Sequence, residues 1–332
     1  MRIALLGAGA WGTALAISLS RQHQVTLWAR DASQIEAMRA ARRNVRYLPE
    51  VELPKMLALT ADLGAALAEA ELALVVVPIA GLRAALEAIV RLRPNPIPVV
   101  WACKGFEPET AKLPHQVVAE TLPESFPSGV LSGPSFAVEV ARGLPTALTL
   151  ASSNETFVRT MASALHHERL RIYASNDLIG VEVGGAVKNV MAIATGVSDG
   201  LGFGYNARAA LISRGLAEMT RLGVSLGGCA ETLGGLSGAG DLILTCTGDL
   251  SRNRRVGMLL AQGRALPEIL QELGHVAEGV YTAREIHRIS LELQVEMPIC
   301  EAVYQLLYGG ATVAQVVDGL LSRAPNSEFG TL

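Results

Sequence analysis

Cysteine is scarce and scattered: Cys103, Cys229, Cys246 and Cys300 are the only four, and no two form a C-x-x-C pair. That excludes a disulfide framework and a thiolate zinc site, and it predicts free, mostly buried thiols in a reducing compartment, the cytoplasm. Histidine is nearly as sparse. The one adjacent pair, His166-His167, is expected in a helix without other ligand types at metal spacing, so no metal is expected. Basic charge has no excess, with 28 Lys and Arg against 31 Asp and Glu and a net charge of -3. This argues against a nucleic-acid partner while leaving room for a local anion site. Long apolar runs are also missing: beyond the opening segment the strongest, Leu72 to Leu82, is broken by Pro78 and is too short to span a bilayer. No stable membrane insertion is expected, and no internal repeat or low-complexity linker is evident. What remains is a chain of 332 residues, half of them hydrophobic, long enough for two domains and a large core.

The segment Ile3-Ala-Leu-Leu-Gly7-Ala-Gly9-Ala-Trp11-Gly12 is an apolar run that opens into a G-x-G-x-x-G triplet and then an alanine-rich helical stretch. Each glycine answers a physical need, Gly7 for a tight strand-to-helix turn, Gly9 for close backbone approach to a pyrophosphate, and Gly12 for close packing of helix on strand. A second apolar segment, Gln24 to Arg30, follows at βαβ distance, so a dinucleotide is expected here, on the N–H groups of the helix N-terminus. Arg2 and the apolar stretch to Leu19 also have the outline of a secretory signal. The glycine spacing and the strand that follows weigh against that reading.

The first half alternates β-type runs with helical stretches, the pattern of a doubly wound, mostly parallel α/β sheet. Strands are expected near Arg2–Leu6, Val25–Trp28, Leu57–Thr60, Leu72–Val77, Pro98–Ala102, Val130–Ser132, Thr146–Ala151 and Arg169–Tyr173. The run from Leu72 lacks alternation and reads as a central strand buried on both faces. After about Asn176 long helical stretches take over, interrupted by one weak β-run at Leu242–Thr245. The division expected is a dinucleotide-binding domain over residues 1–176 and an all-α domain over 177–332, with a substrate in the crevice between them. The polar tail from Arg323 to Leu332 is expected to fray.

Three constellations carry chemistry. In Glu182-Val-Gly-Gly-Ala-Val-Lys188-Asn189, helical periodicity puts Lys188 on one stripe with Gly184, Ala192, Thr195 and Asp199. A desolvated lysine there would exchange protons near neutral pH; a surface lysine beside packing glycines fits the spacing equally. In Ser251-Arg252-Asn253-Arg254-Arg255, an N-cap serine precedes three arginines at the positive end of a helix dipole. A phosphate would relieve that conflict, and so would pairing with Asp249 or a neighbouring carboxylate. The glycine-rich loop Gly234 to Asp241 offers close approach or positive φ, with Asp241 orienting Lys188, accepting a substrate hydroxyl or simply forming a turn.

Seven segments in this order, Gly7 to Gly12, Asn44-Val-Arg-Tyr47-Leu-Pro49, Cys103-Lys104-Gly105-Phe-Glu107, Ser132 to Glu139, Lys188-Asn189, Leu236 to Asp241 and Ser251-Arg-Asn253, run along essentially the whole chain. Together they resemble the bacterial NAD(P)-dependent glycerol-3-phosphate dehydrogenases. The resemblance implies reversible hydride transfer between sn-glycerol 3-phosphate and NAD(P)+, giving dihydroxyacetone phosphate, in a cytoplasmic homodimer that supplies phospholipid synthesis. It makes Lys188 the general acid/base, and Lys104, Gly133, Ser135, Asp241, Ser251, Arg252 and Asn253 further substrate contacts. It assigns the coenzyme to Gly7, Gly9, Gly12, Ala10, Trp11, Arg30, Lys104, Ala137, Arg252, Val276 and Glu278, with Ala10 standing where the family often has serine. Arg30 and Asp31 are adjacent where the second strand ends, and an arginine there accommodates a 2′-phosphate whereas an acid suits ribose hydroxyls. With Arg30 on the adenosine side, NADPH is the expected coenzyme and NADH a usable one. The rival readings are a dehydrogenase of the same architecture acting on carboxylates, and a non-catalytic dinucleotide sensor.

Overall fold

The computed structural model describes residues 1–274 and 277–324. Eight strands form one sheet: β1 (Arg2–Leu6), β2 (Gln24–Trp28), β5 (Ala58–Thr60), β6 (Leu72–Val75), β7 (Val99–Trp101), β8 (Ser128–Ser132), β9 (Thr146–Ala151) and β10 (Leu170–Ser175). Their order is β10-β9-β8-β7-β6-β1-β2-β5, and all pairings are parallel except β8 with β9. All eight expected strands are present with ends shifted by a few residues. β6 is buried along its whole length, because β1 and β7 flank it and apolar side chains cover both faces. β3 (Arg43–Asn44) and β4 (Leu48–Glu52), a small antiparallel pair, have no counterpart among the strands expected from the sequence.

Alternation along the strands feeds two cores. Ile3 and Leu5 join one cluster with the helix Ala10–Leu19, while Ala4 and Leu6 join another with the helix Leu82–Leu92. The chain runs from β1 outward through β2 to β5, then returns to β6 on the other side of β1. That reversal opens a crevice at the carboxyl ends of β1 and β6, where open α/β sheets bind ligands.

Past β10 the described chain is helical. Its axis is the helix Leu178–Gly200, whose residues are buried almost end to end and which packs on the helices Gly204–Ser225, Asp241–Thr247, Arg252–Ala261 and Glu278–Glu292. It is long and apolar enough to cross a bilayer, but here its surface is spent on protein packing. A third core forms around it and takes in Phe106 and Leu113 from the segment after β7.

Two local expectations fail. Leu242–Thr245 is helical: Leu242, Thr245 and Cys246 are buried while Ile243 is exposed, a helical period that so short an apolar run conceals. His166 and His167 lie beyond the helix Glu155–Leu165, His166 as its C-cap and His167 in a bridge to Leu170 with Ser18 Oγ 2.9 Å from its Nε2. The tail expected to fray falls mostly outside the described residues.

Candidate active site

At the crevice, Gly7 leaves β1 with φ of +121°, and a Cβ there would meet the Val76 carbonyl at 2.5 Å. A Cβ on Gly12 would lie 1.9 Å from the Gly7 oxygen, so the helix Ala10–Leu19 sits against its own loop only because residue 12 is glycine. Gly9 faces open space and caps this helix with no side-chain hydrogen bond. Its first N–H groups therefore point outward, and the cradle fits a pyrophosphate. Ala10 and Trp11 line it, half-buried.

Beyond β2, Arg30 is exposed and has no hydrogen bond or ion pair among the described residues. Asp31 is committed elsewhere: its Oδ1 caps the helix Ala32–Ala41, accepting from Ser33 N at 2.9 Å and Ser33 Oγ at 2.6 Å. These bonds, the Ser33 hydroxyl foremost, hold its carboxyl below the usual carboxylate range. Of the two adjacent residues, the arginine is the one left free for a ligand.

Farther along the crevice the two halves of the chain meet. Asp241, 1% exposed, accepts from Lys188 Nζ through Oδ1 and from Lys104 Nζ through Oδ2, both at 2.5 Å. Lys188 Nζ also donates to Thr245 Oγ1 at 3.0 Å, and Lys104 Nζ approaches the Gly133 carbonyl at 3.4 Å, which accepts from Ser135 Oγ at 3.1 Å. Burial lowers the Lys188 pKa to about 8, with the Asp241 carboxylate opposing and the Lys104 charge assisting. Burial would raise Asp241, but the two lysines outweigh it and hold it below the ordinary value. Asp241 thus orients Lys188. It stands at the end of a π-turn, Leu236–Gly240, neither of whose glycines has positive φ; Gly238 serves close approach, since a Cβ there would lie 1.9 Å from the Leu233 oxygen.

The helix Arg252–Ala261 begins beside this cluster, capped by Ser251 Oγ accepting from Arg254 N at 3.3 Å. Only one of its three arginines is left for an anion. Arg254 is buried in ion pairs with Asp199 at 2.6 Å and Asp249 at 3.0 Å, and Arg255 pairs with Glu272. Arg252 alone has no such partner among the described residues. The Asn253 amide is also occupied, donating to Asn189 Oδ1 at 2.9 Å and accepting from Gly279 N at 3.0 Å. It ties this helix to the residue after Lys188, which leaves the backbone N–H groups of Arg252 and Asn253 at the helix N-terminus for a ligand.

Of the residues expected at the coenzyme, Ala137 opens the helix Ala137–Ala141 and Glu278 opens Glu278–Glu292. Burial raises the Glu278 pKa against the pull of Arg252, Lys104 and Lys188, and Asn189 Nδ2 lies 3.4 Å from its carboxylate. Val276 lies outside the described residues. Thr245 and Asn189 belong to the network without having been singled out as site residues. The strand reading of Leu242–Thr245 hid the helical i, i+4 relation of Thr245 to Asp241, whereas Asn189 was in view beside Lys188. No cluster of three metal-ligating side chains occurs among the described residues.

Residues 2–158 and 177–318 match the N-terminal and C-terminal regions of the family described as NAD-dependent glycerol-3-phosphate dehydrogenase. The chain belongs to this family. The glycerol-3-phosphate dehydrogenase (NAD(P)+) of Aromatoleum aromaticum is 61% identical over 329 residues, covering 99% of this chain and 100% of the relative. That of Nitrosomonas europaea is 59% identical over 328 residues, covering 99% of each. The crystal structure of glycerol-3-phosphate dehydrogenase from Coxiella burnetii superposes with a TM-score of 0.93 at 44% identity, over 97% of this chain and 98% of that one. Family membership thus places the dinucleotide crevice and the Lys188–Asp241–Lys104 cluster in an NAD(P)-dependent oxidoreductase.

Proposed function

We propose that the chain catalyses reversible hydride transfer between C2 of sn-glycerol 3-phosphate and NAD(P)+, giving dihydroxyacetone phosphate. The observation that carries this reading is Lys188, buried at the crevice with a lowered pKa and held by Asp241 beside the anion-ready N-terminus of the helix Arg252–Ala261. When bound, the coenzyme supplies a nicotinamide that accepts or delivers the hydride. The chain's own residues do the rest. A neutral lysine has two N–H donors and one lone pair, and Asp241 and Thr245 accept the two donors. The lone pair is then free for the substrate hydroxyl, whose proton Lys188 takes during oxidation; charged, Lys188 returns a proton to the ketone oxygen during reduction.

The phosphate of the substrate is met by the N–H groups of Arg252 and Asn253 and the Arg252 guanidinium, with Ser251 capping the turn and Lys104 adding positive charge. Gly133 and Ser135 line the same end. Gly7, Gly9, Ala10, Trp11, Gly12, Ala137, Val276 and Glu278 hold the coenzyme, with Lys104 and Arg252 reaching it from the substrate side. The free Arg30 and the committed Asp31 favour NADPH over NADH. Residues 1–176 form the dinucleotide-binding unit and 177–332 the substrate unit, and the protein works as a cytoplasmic homodimer without stable membrane insertion or nucleic acid, supplying phospholipid precursors.

The test is oxidation of NADPH and NADH by dihydroxyacetone phosphate, unphosphorylated dihydroxyacetone and a 2-keto acid. Activity confined to the phosphate ester, with NADPH the better coenzyme, is expected. Activity only with the keto acid would reject the substrate assignment.

A further inference from the structure

The motif Asn44-Val-Arg-Tyr47-Leu-Pro49 has no part in the reaction described so far. Asn44 ends β3 and is 1% exposed, and both donors of its amide are used while its oxygen accepts one bond. Nδ2 donates to the Ala8 carbonyl at 2.9 Å and to Thr13 Oγ1 at 2.7 Å, and Oδ1 accepts from Tyr47 N at 3.3 Å. Ala8 is the residue between Gly7 and Gly9, and Thr13 follows Gly12, so one side chain clasps both ends of the glycine loop. Its carbonyl partner Ala8 takes a second bond from Gln34 Nε2 at 2.7 Å, from the helix that follows Arg30. At the other end of the hairpin, Glu50 on β4 pairs with Arg142, the C-cap of the helix that Ala137 opens. The hairpin therefore reaches from the glycine loop to the far end of the helix whose first residue, Ala137, is assigned to the coenzyme.

We propose that Asn44 is a positioning residue for the coenzyme, fixing the Ala8–Gly9 peptide and the first turn of the helix Ala10–Leu19 so that their N–H groups converge on the pyrophosphate. The inference rests on the reading of the glycine loop as the coenzyme site. Donation to two fixed acceptors needs an amide NH2, which aspartate lacks and alanine removes. The pyrophosphate is common to both coenzymes, so the effect falls on both alike, unlike that of Arg30, which faces the 2′-phosphate side.

The test is steady-state kinetics with saturating dihydroxyacetone phosphate and varied NADPH or NADH. Asn44→Ala is expected to raise KM for both coenzymes by a similar factor, about tenfold, with kcat changed by less than about twofold. Thr13→Val, which removes only the acceptor, moves both KM values the same way by less, and Thr13→Ser restores them. Arg30→Ala raises KM for NADPH far more than for NADH. Unchanged coenzyme KM in Asn44→Ala, or in Thr13→Val should the first variant not fold, overturns the inference even if Tm falls. The same holds if kcat falls while KM stays. Absence of saturable coenzyme binding by the unaltered chain would instead overturn the coenzyme reading, and this inference with it.

Discussion

A lysine that exchanges protons near neutrality has to be kept from its ordinary charge, and Lys188 is kept from it by burial and by Lys104, with Asp241 limiting the fall to about 8. The direction of the reaction then sets the sign of the pH dependence. Oxidation of glycerol 3-phosphate needs the neutral amine, so its kcat/KM is expected to rise with pH and level off above about 8. Reduction of dihydroxyacetone phosphate needs the ammonium and is expected to fall over the same interval. Replacing Asp241 by Asn removes the charge that favours the ammonium, so both midpoints should move to lower pH in initial-rate profiles at saturating coenzyme. Profiles of the same sign in both directions would contradict the assignment. Much at this scale was legible: Lys188, Asp241, Arg252 and the glycines stand in local patterns with a chemical meaning. Arg254 was legible only in part: pairing of the turn with Asp249 was one of its readings, whereas Asp199, which takes the Arg254 Nε, is 55 residues away in sequence and on another helix.

Elements were legible in proportion to their length and apolarity. The sheet strands announce themselves as continuous runs such as Leu72–Val75, but β3 is two residues long and β4 is mostly exposed, so nothing in their pattern separates them from a loop. Contacts between helices were illegible for the same reason that the Arg254–Asp199 pair was. Glu218, in the helix Gly204–Ser225, accepts from Ile299 N at 2.7 Å and Cys300 N at 3.1 Å and so fastens the N-terminus of the helix Pro298–Leu307. Burial pushes its pKa up to about 7 against the pull of those two N–H groups. Between the ordinary 4.5 and about 7 the folded chain holds a proton that the unfolded chain has lost. Its contribution to stability is therefore full below the lower value and is lost as pH rises through the upper one. Glu218→Gln keeps an acceptor without the charge, and Tm measured from pH 5 to 8 is expected to fall less steeply than in the unaltered chain. An unchanged slope would assign the pH dependence to other groups.

At the scale of the molecule, the sheet presents the glycine loop and the helices present Lys188, and the chain ties the two together at several depths. Trp101 Nε1 at the end of β7 donates to Glu182 Oε1 at 2.8 Å, and His115 Nδ1 lies 2.6 Å from Glu182 Oε2, six residues before Lys188 on the same helix. Lys104 follows Trp101 by three residues and completes the link at Asp241. Phe106 and Leu113 then sink into the helical core, so the segment that carries Lys104 is anchored on both sides of the crevice. Alternation of elements revealed that such a crevice exists, and the order of the family segments revealed its chemistry. The ties that set its width join residues far apart in sequence and could be read only from the folded chain. The claim they serve is that hydride passes directly between the nicotinamide and C2 of the three-carbon phosphate. The most direct measurement uses NADPH deuterated at both C4 positions of the nicotinamide to reduce dihydroxyacetone phosphate, with the product examined by NMR. The account predicts one deuterium at C2 of glycerol 3-phosphate; a product without label at C2, or label at another carbon, would contradict it.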